Sequence, residues 1–286
     1  MTYSIYHFFA DLCQKKEELL SENKLESFPF DKQMLSCINK GIFPDLAIKL
    51  NNDKEQFTGG ELIELKDSEK SYSVASFNST IPTGEKDIKK IIEGRKNKIR
   101  TQMQEAGNNI LSLPIRQVFY LIRGRRQSNI KTCLTHGKFF ETVPVSTLIS
   151  ESFGQALEER LNELGETLSV SMRQKLLDLF SEQQTFSRVR NVEDASVKMR
   201  FRIMTEVKAG ANILNPNQYP QIGDNTLSFA VPCHSDTEQH QHQDKMKIAF
   251  QEIECEELFS QVEIFVLQHH FNGKFLIFQT NLLVDD

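Results

Sequence analysis

Residues 41–66 read GIFPDLAIKLNNDKEQFTGGELIELK. Two short apolar segments flank a polar loop that ends on Gly59-Gly60, a turn signal, so the stretch predicts a pair of strands. Side chains alternate between the faces of a strand. In the first strand Leu46, Ile48 and Leu50 then share one face and Asp45, Ala47 and Lys49 the other. In the second, Ile63 and Leu65 share a face, and Leu62, Glu64 and Lys66 share the opposite one. Pairing with the polar faces aligned brings Asp45, Glu64 and Lys66 to one spot. Two carboxylates and an ammonium on an otherwise apolar hairpin are costly to bury. A divalent cation between the carboxylates would remove that cost.

The tripeptide E-x-K recurs at Glu22-Asn23-Lys24 and Glu206-Val207-Lys208, and Asp87-Ile88-Lys89 gives D-x-K. Glu64-Leu65-Lys66 differs in ending an apolar strand that follows a Pro-Asp at the head of another. Glu206 is the main rival, because it too lies on a strand-like run, although Asp194 upstream lacks a preceding proline. Pro44-Asp45 with Glu64-Leu65-Lys66 resembles the PD-(D/E)XK nuclease superfamily, the fold of most type II restriction endonucleases. Residues 67–84 (DSEKSYSVASFNSTIPTG) also resemble a type II restriction enzyme of that superfamily.

The resemblance spans roughly the first half of the chain. It implies an α/β (α+β) fold with a mixed central sheet flanked by helices. It also implies sequence-specific, Mg²⁺-dependent cleavage of double-stranded DNA. Asp45 and Glu64 would hold one or two Mg²⁺ ions, with the Leu65 carbonyl as a further ligand. Lys66 would orient the attacking water or stabilise the pentavalent transition state, and in-line attack would leave a 5′-phosphate. The superfamily often adds an acid from an upstream helix; Glu17, Glu18 and Glu26 stand open for that place. A palindromic site implies a homodimer, and a cognate DNA methyltransferase is expected in the same system. A non-catalytic DNA-binding protein on this scaffold and a structure-specific repair nuclease are the two alternatives.

The chain has 286 residues, 39% of them hydrophobic and 26% charged, an ordinary balance for a globular protein with a sizeable core. It contains no apolar run of membrane-spanning length. The N-terminal residues lack a signal-peptide pattern, so a cytoplasmic protein without membrane contact is expected. The five cysteines are scattered and form no C-x-x-C, which argues against a disulfide framework. Net charge is -5, yet residues 85–126 hold eleven basic and four acidic side chains. A local basic excess beside paired carboxylates suits a polyanion; a solvated helix face is the plainer reading.

In chain order, residues 6–20 and 32–39 predict helices, and Ser71 to Phe77 a third strand. The following loop offers Ser76, Asn78, Ser79 and Thr80 as DNA contacts. Residues 85–107 predict a helix, with Lys86, Lys89 and Lys90 as candidate DNA contacts. The apolar run QVFYLIR at 117–123 predicts a strand buried on both faces, and residues 130–135 another. Strand, helix, strand implies a crossover and some parallel pairing. Arg125 and Arg126, in the loop between these strands, are further candidate DNA contacts. His136 at a strand end is a weaker candidate. A helix over 145–164 stops at Gly165, taken as the boundary between a catalytic part, 1–165, and a β-rich part, 166–286, for recognition or dimerisation. The later part predicts a helix over 169–186 and strands over 197–207, 226–231, 247–254, 262–270 and 274–280. Asn272-Gly273 suits a type I′ turn. Cys233, His234, His240 and His242 are metal-ligand types in a polar segment whose spacing matches no zinc module.

Overall fold

A computed structural model of the protein describes residues 3–38, 43–50, 59–73, 82–92, 98–105, 110–141, 145–181 and 212–282. The chain forms two units: one from residues 1–75, 82–140 and 207–286, the other from 76–81 and 141–206. The fold is mixed α/β.

The larger unit is built on one mixed sheet. Its strands are β1 (Leu35–Ile38), β2 (Leu46–Ile48), β3 (Leu62–Ser68), β4 (Glu85–Asp87), β5 (Ile115–Arg126), β6 (Asn129–His136), β7 (Thr226–Pro232), β8 (Glu263–His269) and β9 (Gly273–Asn281). They lie in the order β1-β2-β3-β5-β6-β7-β9-β8, with β4 on the first residues of β5. β5 runs parallel to β3 and antiparallel to β6. The connection from β3 to β5 carries α3 (Ile88–Ile92) and α4 (Lys98–Glu105), the long crossover that parallel strands require.

One face of the sheet packs against α1 (Ser4–Gln14) and α7 (Asp236–Glu252), with α2 (Lys16–Ser21) and α8 (Glu256–Phe259) beside them. Nearly all of α1 is buried. Phe9 stacks on Phe229 at 5.4 Å between ring centroids, and Phe229 on Phe278 at 6.0 Å. Burying a phenylalanine contributes about 1.5–3 kcal/mol, so this aromatic layer is a principal source of stability. The Tyr6 hydroxyl hydrogen-bonds His242 Nδ1, joining α1 to α7. No helix among the described residues is long and apolar enough to cross a membrane.

Several elements differ from their sequence expectation. Residues 32–34 form a turn and Leu35–Ile38 a strand, because pairing with β2 outweighs a helical pattern too short to stand alone. Glu85–Asp87 pairs with β5 instead of opening a helix. Residues 71–73 are not in a strand, and 74–77 lie outside the described residues, as does the strand expected over 197–207. Residues 247–252 belong to helix α7, whose N-cap Ser235 accepts from the Glu238 N–H at 3.2 Å. Ser235 and Glu238 stand at capping-box spacing, the signal that was available. The hairpin of β8 and β9 is present, but residues 270–272 connect it and only Gly273, at φ 83°, lies in the left-handed region there. That is a longer loop than a type I′ turn. Gly165 does not divide the sheet: β7 pairs in parallel with β6, so the later strands complete the same layer. β6 is buried from Ile130 to His136 and needs a partner on each edge.

The smaller unit contains α5 (Val145–Leu164) and α6 (Val170–Ser181), linked by an ion pair between Arg173 and Glu158 at 2.5 Å. Gly165, at φ 69°, ends α5 as a left-handed cap.

In the larger unit Arg123 is fully buried and binds Asp67 through two hydrogen bonds, of 3.1 and 2.7 Å. Arg123→Met strands the Asp67 carboxylate and should destabilise the protein by about 3–5 kcal/mol. A urea unfolding series reads this as a lower midpoint, and Asp67→Asn added to Arg123→Met should recover part of it.

Candidate active site

The β2–β3 ladder pairs Leu46 with Ile63 and Ala47 with Leu62, so one further step opposes Asp45 and Glu64. Leu46, Ile48, Ile63 and Leu65 enter the helix-covered core. Alternation therefore turns Asp45, Glu64 and Lys66 to the opposite face, and the geometry agrees. The Leu65 N–H donates to Asp45 Oδ2 at 2.9 Å, and Lys66 Nζ donates to Glu64 Oε1 at 2.8 Å. Glu64 is 8% exposed, and its Oε2 is buried without a hydrogen-bond partner among the described residues.

Burial first, and then the charge of Glu64, raises the Asp45 pKa to about 6; the Leu65 N–H and Lys66 oppose the rise. Glu26 adds to it. Of the three upstream acids, Glu26 is thus the one whose charge reaches Asp45. It sits on a single helical turn, Leu25–Ser27, held to β3 by the Leu25 N–H donating to Asp67 Oδ2 at 3.2 Å.

The donors at this spot are oxygens, the chemistry of a hard divalent cation. A strand residue's N–H and C=O lie on the same edge, so the Leu65 carbonyl shares the edge on which its N–H meets Asp45. The orphaned Glu64 oxygen, the raised Asp45 and this carbonyl fit Mg²⁺. Among the described residues no three His, Cys, Asp or Glu side chains group as a metal cage, so water would complete the shell.

Lys86 lies closer to this chemistry than a surface contact would. It is half-buried in β4, its ammonium stands 5.1 Å from the Phe43 ring centre, and burial lowers its pKa to about 8 despite the charge of Glu64. The other basic candidates divide. Lys89, Lys90 and Arg126 are exposed. Arg125 donates to the Glu22 carbonyl. Arg116 and Arg123, counted in the basic excess, are fully buried: Arg116 donates to the carbonyls of Leu113 at 2.6 Å and Gly60 at 3.1 Å. The run of charge is therefore not one solvated face.

Ser76, Asn78, Ser79 and Thr80 lie outside the described residues, as does the rival Glu206. Asp87 Oδ1 accepts the Lys89 N–H at 2.9 Å, at the start of α3. His136 is buried against Phe119, and burial lowers its pKa to about 3, so it stays neutral. His240 and His242 lie on α7. His242 is held by Tyr6 and by the Pro232 carbonyl at 3.2 Å, and Cys233 Sγ donates to the Ser235 carbonyl at 3.5 Å.

Because its folded pKa is raised, Asp45 holds its proton longer in the folded state than in the unfolded state. Its contribution to stability falls as pH rises from its ordinary 3.8 through about 6. Asp45→Asn should remove that decline, seen as a flatter dependence of thermal midpoint on pH across the window. Mg²⁺ at neutral pH should raise the wild-type midpoint and leave Glu64→Gln unmoved.

No protein-family model, no curated protein and no solved structure matches the chain, so any functional reading rests on the geometry of these side chains.

Proposed function

We propose that the protein is a Mg²⁺-dependent, sequence-specific endonuclease of double-stranded DNA, a type II restriction enzyme acting in the cytoplasm as a homodimer beside a cognate methyltransferase. The observation that carries the reading is the buried Glu64 Oε2, without a hydrogen-bond partner among the described residues, beside Asp45 and Lys66. A binding module has no use for that oxygen, whereas a metal-assisted hydrolase does.

Asp45, Glu64 and the Leu65 carbonyl would hold Mg²⁺, which when bound supplies positive charge to polarise a phosphate and lower the pKa of a water. The chain's own groups do the rest. The Leu65 N–H fixes the rotamer of Asp45 from the neighbouring strand. Glu64 Oε1 holds the Lys66 ammonium at the site, where it orients the water for in-line attack or offsets charge on the pentavalent phosphorus. Exposed Lys89, Lys90 and Arg126 supply phosphate contacts that position the duplex. Cleavage leaves a 5′-phosphate and a 3′-hydroxyl.

Supercoiled plasmid and a sequenced genomic DNA, each with Mg²⁺, test the reading. Wild type should cut at fixed sequences, and Asp45→Ala, Glu64→Ala and Lys66→Ala should each slow cutting by about a thousandfold. Wild type that binds every DNA tried and cuts none would sink it in favour of a binding module. Cutting confined to branched or damaged DNA would favour a repair nuclease. Loss on Glu206→Ala with Glu64→Ala intact would move the site.

A further inference from the structure

We infer that Lys86 is a second substrate-contacting cation of this site, its ammonium meeting a non-bridging oxygen of the bound phosphodiester. The inference rests on the nuclease reading for the reaction, but the contact itself is read from Lys86.

Register places the side chain. Lys86 pairs with Arg116 across β4–β5, and Glu64 pairs with Tyr120 across β3–β5. Arg116 and Tyr120 are an even number of residues apart on β5, so Lys86 and Glu64 rise from the same face of the sheet. The ammonium rests over the ring of Phe43, two residues before Asp45. The Lys86 ammonium feels the charge of Glu64 yet makes no hydrogen bond or ion pair among the described residues. Lys66, by contrast, is already paired with Glu64. Burying an ammonium without an anion is unfavourable, and packing on Phe43 alone would be served as well by methionine. A phosphate oxygen is the anion that makes a lysine the better residue here. Lys86 thereby acts on the reacting group, while Lys89 and Lys90 act on the flanking backbone.

The test uses the full chain and a labelled duplex carrying a mapped cleavage site, under single turnover with protein in excess. Lys86→Met should slow cutting about a hundredfold at saturation, with a thermal midpoint no lower than wild type; Lys86→Arg should restore most of the rate. Lys90→Met should weaken binding and reduce the salt slope by about one phosphate contact. A wild-type saturated rate in Lys86→Met would overturn the inference, and so would a loss that tracks a lowered thermal midpoint, since that is a structural role. If wild type itself does not cut, the nuclease reading fails separately, and acetic anhydride footprinting with and without duplex DNA decides the contact. Protection of the Lys86 amine by DNA supports it; equal acylation overturns it.

Discussion

Arg123 and Asp67 face one another across the parallel ladder of β3 and β5, and the register they fix sets the position of every group at the site. Four of the guanidinium's five N–H donors are used. It gives two hydrogen bonds to Asp67 and one each, at 3.0 Å, to the Leu19 and Glu22 carbonyls. Asp67 in turn takes the Leu25 N–H. One pair therefore ties the end of α2, the turn bearing Glu26 and two strands of the sheet. A buried ion pair adds little net stability against an apolar substitute, but a slip that parts it is expensive. A one-residue slip of β3 would turn Glu64 and Lys66 into the aromatic core. The same slip would separate Asp67 from Arg123, so the wrong register is penalised twice.

What was legible in the sequence follows from how local each signal is. The alternation of residues 45–48 and 62–66 has a period of two, and pairing keeps that period, so the convergence of Asp45, Glu64 and Lys66 was readable before any coordinates. The buried run of β5 and the crossover before it were readable for the same reason. β4 was not, because Glu-Lys-Asp has no strand character of its own. It exists because β5 extends to Ile115 while its β6 partners begin only at Phe119, which leaves an open edge at 115–117. The basic excess misled in a related way. It counts charge along the chain, whereas β5 is buried on both faces, so Arg116 on one face and Arg123 on the other are both enclosed, where carbonyls and Asp67 bind them. Among the upstream acids, only the docking of residues 25–27 on β3 singles out Glu26, and that docking depends on a residue about 100 positions away.

Both faces of the sheet bury apolar side chains, but only one of them also carries the site's charges. One buries phenylalanines between α1, α7 and the strands and stabilises the fold. The other also buries Tyr120, Ile122 and Phe275, but around β2, β3 and β4 it holds charged groups that oppose folding: Asp45 is pushed up by burial and by Glu64, and Lys86 is pushed down by burial. Charged groups kept at such a cost concentrate where proteins act on ligands, because a structural role is met more cheaply by apolar residues.

On the proposed function, the balance of charge at that face would decide what it accepts. Asp45, Glu64 and Glu26 contribute three negative charges when ionised, and Lys66 and Lys86 two positive ones. The net of minus one attracts a cation and repels a phosphodiester. A divalent ion reverses the sign to plus one, which matches the single negative charge of one phosphodiester link. With Glu64 Oε1 occupied by Lys66, Oε2 would be the oxygen left to meet the cation, and Lys86 stands on the same face with no anion among the described residues. Neither lysine alone gives this result. Without Lys86 the metal-bound site is neutral and gains no attraction for a phosphate; without Lys66 both Glu64 oxygens lack a partner. On the proposed function, the order of events would then be electrostatic: metal first, nucleic acid second.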